Sequence, residues 1–522
     1  MRRWNGWGDS NTVYPIPDEG RTFLADQIGR GATIADTPYE GLLSAVPSSR
    51  LEPDALVTPD PAVRLAHAHG QSLPDWIALR HGRLNCFPDG VAVPESEDQI
   101  RALLDIARAR RFALIPYGGG TSVVGHVNPI SGDRPVVTVA LTRMNRLLDV
   151  DERSRLATIE AGATGPEVES QLAARGYTLG HFPQSFEAST LGGWIATRST
   201  GQQSLHYGRI EGLFAGGHLE TPAGPFDLPV FPASAAGPDL RHLVLGSEGR
   251  LGFVTRATVR VRRVPQDERF YAFFFRSWEE GVEAVRRTAQ DFPTVSMLRL
   301  SDPVETETSL WLAGRPGLVR WARRGLSWAG YGRARCLLIA AHTGERAPVV
   351  RGSRVGGLPV GRPIGELWRR SRFRTPYLRN SLWEAGYALD TFETAVPWSQ
   401  FRACRNTAIG ALSTALEDEN ERVLAFAHLS HGYPDGASVY VTAVFRRTPD
   451  PDQTLERWKR LKTAATDAFV RCGGTVSHQH GVGRDHAGYL PEEKGRLGIE
   501  SLAAAFRVFD PDGLMNPGKL LG

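Results

Sequence analysis

Three consecutive glycines set directly after an apolar strand constrain this chain more than any other feature. In Ala113-Leu114-Ile115-Pro116-Tyr117-Gly118-Gly119-Gly120-Thr121-Ser122 the first three residues read as a buried strand, and the glycines that follow carry no side chain to obstruct an approaching group. Successive backbone N–H groups in such a loop can close round an anion, and a pyrophosphate is a suitable guest. By themselves three glycines also make an ordinary turn, so the reading depends on what accompanies them.

Further loops accompany them. Gln184-Ser185-Phe186-Glu187-Ala188-Ser189-Thr190 leads into Leu191-Gly192-Gly193-Trp194-Ile195-Ala196-Thr197-Arg198-Ser199-Thr200-Gly201, where hydroxyl donors and paired glycines both suit a dinucleotide. Downstream, Gly246-Ser247-Glu248-Gly249-Arg250-Leu251-Gly252-Phe253-Val254-Thr255 joins a glycine turn to a β-rich run whose backbone can hydrogen-bond a flavin ring. Taken alone this last piece is equally a structural hairpin.

The 522 residues, 41% of them hydrophobic, are too many for one ordinary core, so at least two domains sharing an interface are expected. Residues 1–85 read as an irregular N-terminal arm with a helix over 62–81. Residues 86–265 alternate short strands (91–93, 113–115, 136–141, 157–161, 253–261) with helices over 97–108 and 166–175. Residues 266–470 give strands at 270–275, 297–300 and 337–341, helices over 279–290, 400–416 and 453–471, and a hairpin over 423–446. Residues 471–522 form a tail rich in Gly and His, expected to complete the functional site and to pack back on the 86–265 unit. This mixed order is α+β, with an antiparallel sheet covered by helices in the second unit, and argues against a Rossmann fold.

Composition excludes several classes. A formal charge of +4, with 61 basic residues spread among 57 acidic ones, does not suggest nucleic-acid binding. The four cysteines, Cys86, Cys336, Cys404 and Cys472, are far apart and form no Cys-x-x-Cys pair, so neither a disulfide framework nor a zinc site is expected, and no metal is assigned. The two arginines of Met1-Arg2-Arg3-Trp4 have no apolar stretch behind them, and no run is long and apolar enough to cross a bilayer. The expectation is a cytoplasmic protein with at most a peripheral membrane contact. An interfacial segment of Trp311, Leu312, Leu318, Trp321, Leu326 and Trp328, interleaved with Arg315, Arg320, Arg323 and Arg324, would supply that contact; such a mixture also makes a helix packed on a domain.

Taken together, the order and spacing of the glycine and hydroxyl loops across 88–262 resemble the FAD-binding domain of the p-cresol methylhydroxylase (PCMH) and vanillyl-alcohol oxidase type. The resemblance implies a two-subdomain PCMH-type FAD-binding domain plus a cap domain. The FAD would be held by Pro116 to Ser122, Gln184 to Thr190, Thr197 to Thr200 and Glu248 to Val254. Some members tether the flavin through a histidine beside the glycine loop; this chain has Thr121 there, so noncovalent FAD is expected, with His126 as the lesser alternative.

A narrower resemblance rests on Arg3-Trp4-Asn5-Gly6-Trp7-Gly8, on Gly192-Gly193-Trp194-Ile195-Ala196-Thr197-Arg198, and on Ser477-His478-Gln479-His480-Gly481-Val482-Gly483. These are similar to the alkyldihydroxyacetonephosphate synthase family, through nearly the whole chain. That family exchanges the acyl group of an acyl dihydroxyacetone phosphate for a fatty alcohol, with flavin N5 holding the substrate carbon and no net redox change. The resemblance implies an acid/base role for Tyr440, a phenol that needs positive charge nearby to serve. It implies catalytic roles for His478 and His480, which at i and i+2 on an extended segment would point the same way. Arg379 would bind a substrate phosphate or carboxylate. Arg299 matches a position near the flavin, although alternation sets it opposite Leu298 and Leu300 and leaves open that it simply faces outward. The family carries three consecutive histidines where this chain has Gln479 in the middle, and an acidic residue where it has Gln184.

Two other readings compete. A related FAD-dependent 2-hydroxy-acid dehydrogenase would look alike in its flavin domain, but its metal set is incomplete here: His428 has no second histidine after Asp435-Gly436, and Gln479 stands where a glutamate is needed. A catalytically silent flavin-binding partner is the third, disfavoured by the joint presence of Tyr440, His478, His480 and Arg379. A lipid or small-molecule substrate is expected, and a homodimer is left open.

Overall fold

The computed structural model describes residues 2–291, 295–312, 316–344 and 355–521. Among the described residues three large sheets organise it, beside a two-stranded one of Tyr177–Thr178 and Arg262–Arg263. A four-stranded sheet runs in the order Val57–Thr58, Gly90–Ala92, Val136–Ala140, Ala113–Tyr117, the last three parallel. The helix Glu97–Arg110 covers it with Ile100, Leu103, Leu104 and Ala107, which recur at helical spacing and are all buried. Ser96 caps that helix by accepting from Gln99 N, and Arg111 ends it in the left-handed region at φ 55°.

A five-stranded antiparallel sheet follows, in the order Leu147–Asp151, Leu156–Glu160, Phe253–Arg260, Phe214–Thr221, Gly224–Leu228. Its core takes in Val168 and Leu172 of the helix Gly165–Ala173 and Trp194 and Ile195 of the helix Leu191–Thr197. These two sheets are the two subdomains expected for the flavin domain.

The third sheet has seven antiparallel strands: Leu358–Gly361, Glu268–Phe275, Cys336–Thr343, Val295–Ser301, Leu424–Gly432, Gly436–Arg446 and Tyr387–Pro397. Its pleat sorts the side chains. Leu298, Leu300, Ala427, Leu429, Val439 and Val441 enter one core, with residues of the helices Trp278–Asp291, Trp398–Thr414 and Pro451–Arg471. The residues between them, Met297, Arg299, Phe426, His428, Ser430, Tyr440 and Thr442, line a cavity on the other face. Arg299 does lie opposite Leu298 and Leu300, but that face turns to this cavity and not to solvent.

Three expectations need correction. The helix over 62–81 is two, Pro61–Ala66 and Leu73–Arg80, each with its own side-chain cap from Asp60 and Ser72. The N-terminal arm is not irregular in its contacts: Trp7 N donates to Asn380 Oδ1 (3.0 Å), Asn380 Nδ2 donates back to Trp7 O (3.1 Å), and Arg80 Nε donates to Asn5 O (2.6 Å). Gly8 sits at φ 76° with Tyr377 so close that a Cβ would lie 2.3 Å from its ring, which explains a glycine after the second tryptophan. The C-terminal segment is more than a tail. It forms the helix Leu490–Phe509, broken at Gly495, and then rejoins the first sheet through a bridge between Leu114 and Met515.

Candidate active site

The cavity, about 460 Å³, lies between the glycine loops of the flavin domain and the polar face of the seven-stranded sheet. Pro116, Tyr117, Gly118, Gly119, Gly120, Thr121 and Ser122 form one wall. A Cβ on Gly119 would stand 1.7 Å from Ala188 O, and one on Gly118 would stand 2.3 Å from Thr190 Oγ1, so the first loop can pack on the second only as glycine. The backbone N–H groups of Gly119, Gly120, Thr121 and Ser122 find no acceptor among the described residues. Four consecutive free donors on a cavity wall fit the pyrophosphate of a dinucleotide.

Of the other expected cofactor residues, Gln184, Ser185, Ser189, Thr190, Thr197, Ser199, Thr200, Glu248, Gly249, Gly252 and Val254 line this cavity. Phe186, Glu187, Ala188, Arg198, Arg250, Leu251 and Phe253 do not. Phe186 stacks on Phe373, and Glu187 accepts from Tyr377 Oη at 3.2 Å. Ala188 supplies the carbonyl that Gly119 packs against, and Arg198 turns the chain at φ 53°. Arg250 donates to Met515 O and Asn516 O, pinning the C-terminal segment, while Leu251 and Phe253 are core residues. His126 Nδ1 pairs with Ser122 Oγ (2.8 Å), while Nε2 lies 3.0 Å from Glu248 Oε1 without making a hydrogen bond.

The sheet face brings Tyr440, His480, Arg379 and Arg299 to the same cavity. The Tyr440 hydroxyl donates to Thr391 Oγ1 at 3.0 Å and lies 3.3 Å from His480 Nε2. Burial pushes the phenol up, with Glu393 and Asp390 adding to the rise while Thr391 and Arg299 oppose it, so it rests protonated. The nearby positive charge that the sequence called for does not prevail. His480 is held below the ordinary imidazole value, first by burial and then by Lys462, against Glu393 and Asp390.

His478 and His480 do not point the same way. The segment 477–483 is a turn, not a strand, and the two imidazoles straddle Glu393 at 3.6 and 3.8 Å. His480 faces Tyr440, whereas His478 Nε2 pairs with Tyr433 Oη at 2.6 Å and lies behind the cavity wall. His478 is kept well below the usual imidazole range by burial and by His431 and Arg209.

What holds this turn was not legible in the sequence. Glu393, fully buried, accepts from Ser477 Oγ (2.8 Å) and from the N–H groups of His478, Gln479 and His480, at 2.9–3.1 Å. Glu248 accepts from Val482 N (2.6 Å) and Gly483 N (2.8 Å). One carboxylate from the cap strand and one from the flavin domain therefore clamp the loop that links the two.

Arg379 is a cavity cation with free donors. Its Nη1 donates to Gln71 O (2.6 Å) and its guanidinium stacks on Trp76 at 4.3 Å, but Nε and Nη2 are buried without a partner. Arg299 is committed elsewhere: Nη2 donates to Glu305 Oε1 (2.7 Å) and Nη1 to Ser301 Oγ (2.8 Å). Sequence reading missed Glu305, His431 and Arg372 on the wall, and took His428 only as a fragment of a metal set. Their cavity exposure follows from strand pairing and helix placement, for which a single residue type gives no signal.

Residues 88–225 match the family model described as FAD binding domain, and residues 264–520 the model described as FAD linked oxidases, C-terminal domain. FAD is therefore the cofactor of this enzyme. The chain is 32% identical to the alkyldihydroxyacetonephosphate synthase of Dictyostelium discoideum, an alignment taking in 99% of this chain and 93% of that protein. It is 28% identical to the alkyldihydroxyacetonephosphate synthase of Caenorhabditis elegans, over 99% and 95%. A solved structure titled alkyldihydroxyacetonephosphate synthase in P1 superposes with a TM-score of 0.84 at 27% identity, covering 99% of this chain and 98% of that one. With both domains, their order and the full length matched, this chain belongs to the alkyldihydroxyacetonephosphate synthase family.

Proposed function

We propose that this enzyme exchanges the acyl group of an acyl dihydroxyacetone phosphate for a fatty alcohol, forming an ether lipid precursor and a free carboxylate. The observation that carries this reading is the meeting of Tyr440, His480 and the unpartnered Nε and Nη2 of Arg379 on the cavity of the glycine loop, in a chain of which 99% is matched by a synthase. The residues from Pro116 to Ser122, with Ser185, Thr190, Ser199 and Gly249, would hold FAD noncovalently. Bound flavin supplies a reversible electron sink, so that the exchange needs no outside oxidant.

The chain's own groups divide the remaining work. Arg379, with two unpartnered donors, binds the substrate phosphate or the departing carboxylate. Tyr440 and His480 move the proton at the carbon that changes partners. Met297, Leu312, Trp368, Leu378, Leu389 and Phe426 give the cavity an apolar wall that receives an alkyl chain and keeps water out. Incubating the holoenzyme with palmitoyl dihydroxyacetone phosphate and hexadecanol is expected to yield alkyl dihydroxyacetone phosphate and palmitate in equal amounts. Oxidation of D-lactate or glycolate with no ether formed would overturn the assignment in favour of a dehydrogenase.

Delivery of such substrates suits a peripheral membrane contact of a cytoplasmic protein. No described helix is long and apolar enough to span a bilayer. In the helix Pro316–Trp328, Trp321 is 74% and Trp328 95% exposed, beyond the helix Pro303–Leu312 whose Leu312 lines the cavity. Arg315 and the side chains of Leu318 and Arg320 lie outside the described residues. Replacing both Trp321 and Trp328 with serine is expected to weaken sedimentation with anionic phospholipid vesicles at least about tenfold, roughly 1.4 kcal/mol, and unchanged sedimentation would refute the contact.

A further inference from the structure

The exchange moves protons at two atoms, the substrate carbon and the hydroxyl of the incoming alcohol, and Tyr440 with His480 accounts for one of them. A second imidazole stands on the same wall. His428 is the cross-strand partner of Tyr440, and their rings stack at 4.7 Å with an interplanar angle of 19°. Its Nδ1 lies 3.0 Å from Glu305 Oε1. A carboxylate only accepts, so this contact places the hydrogen on Nδ1 and leaves a lone pair on Nε2. Arg299 Nη2 lies 3.2 Å from the same Nδ1 with a second N–H to donate, but the contact with the carboxylate is shorter and charge-assisted, so it decides for a hydrogen on Nδ1. Nε2 has no hydrogen-bond partner among the described residues, and the ring lines the cavity.

The charge balance around the ring favours its neutral form. Arg299 on the strand Val295–Ser301 faces it, as do Glu305 and Asp302 at the start of the neighbouring helix and Tyr440 on the adjoining strand, while His431 lies on its own strand. Burial and then Arg299 lower His428 below the ordinary imidazole value, against the opposing pull of Glu305. Arg299 and Glu305 form an ion pair of no net charge, so a neutral imidazole fixed by a carboxylate faces the space where the reacting groups meet.

We propose that His428, oriented by Glu305, is the base that takes the hydroxyl proton of the incoming fatty alcohol. This role rests on the synthase reading above. The alcohol O–H bond breaks, its proton goes to His428 Nε2, and the oxygen lone pair forms the new C–O bond at the substrate carbon. The acyl group has left that carbon as a carboxylate with the electron pair of its C–O bond, and the imidazolium releases its proton to solvent. The sum is ester plus alcohol giving ether, carboxylate and a proton, with no net oxidation. His428 is then a catalytic residue and Glu305 a positioning residue.

His428→Asn tests this, because the asparagine amide can still donate to Glu305 while nothing replaces Nε2. Two rates separate the steps: exchange of labelled palmitate into the acyl substrate, which needs no alcohol, and ether formation from hexadecanol. The variant is expected to lose ether formation by about 10²–10⁴-fold, the usual worth of general base catalysis, while palmitate exchange falls by less than about tenfold. The deficit should shrink with 2,2-difluorohexadecanol, whose more acidic hydroxyl needs less help. Independently of turnover, ¹⁵N spectra of histidine-labelled wild-type protein should show His428 protonated on Nδ1 and bare on Nε2, with that preference lost in Glu305→Gln. Equal loss of both rates in the variant, or a hydrogen on Nε2 in the wild type, overturns the role of His428 alone. No ether from the wild-type holoenzyme overturns the synthase reading and this role with it.

Discussion

Tyr440→Phe is expected to lower ether formation by about 10²–10⁴-fold, the range that a positioned proton-transfer group commands, with little change in stability. The hydroxyl makes one hydrogen bond, to Thr391, and a longer contact with His480, so its removal costs about 0.5–1.5 kcal/mol. The physics behind the large effect is a mismatch that the site must resolve. Burial holds the phenol protonated, yet it has to accept a proton from carbon. His480, kept neutral by burial, lies on the one side where it can draw the phenolic proton away, and Arg299 favours the resulting phenolate. Activity should therefore fall on the acid side as His480 becomes protonated. Because its value is lowered, that limb lies below the ordinary imidazole value of 6.5. Exchange of the substrate C–H proton into solvent, measured against pH in wild type, Tyr440→Phe and His480→Gln, checks this; an acid limb that survives unchanged in His480→Gln would refute the pairing.

The parts of this site that were legible from sequence are those with a local requirement. Gly118 and Gly119 announce themselves because no other residue fits where the loop meets Thr190 and Ala188, and Gly120 because it sits at φ 65° against the Tyr117 hydroxyl. Arg379 and Tyr440 came from resemblance, and the structure sets both on the cavity wall. The strand Tyr387–Pro397 went unread because Asp390 and Glu393 interrupt its apolar pattern. Both are buried, since one is bound by Trp458 Nε1 and the other by a loop some 85 residues away in sequence. The helix Leu490–Phe509 was hidden by Gly495, which leaves the helical region at φ 66° and divides it. The parallel aim of His478 and His480 failed for the same kind of reason: an i, i+2 rule holds on a strand, and a buried carboxylate from elsewhere bends this segment into a turn. Long-range acceptors of this sort have no local signature.

Glu393→Ala should be the most destabilising single change near the site. The carboxylate satisfies four donors at once, the Ser477 hydroxyl and three successive backbone N–H groups, in a place where its side chain has no exposure to solvent. Its removal leaves those donors buried and unpaired beside a void, a loss of about 3–5 kcal/mol by analogy with breaking a buried charged pair from one side. Ser477→Ala removes one neutral donor, leaves the carboxylate three and takes from Gly481 N its acceptor at 3.0 Å, so about 1–3 kcal/mol is expected. The two variants also separate stability from function. His480 keeps its line to Tyr440 only while the turn is closed, so Glu393→Ala should lose ether formation by at least about 100-fold even below its unfolding transition. Amide hydrogen exchange resolves the cause: protection at His478, Gln479 and His480 should vanish in Glu393→Ala, while Val482 and Gly483, held by Glu248, keep theirs. If protection at 478–480 persists, the turn is held by packing and not by this carboxylate, and the activity loss must then come from elsewhere in the cavity.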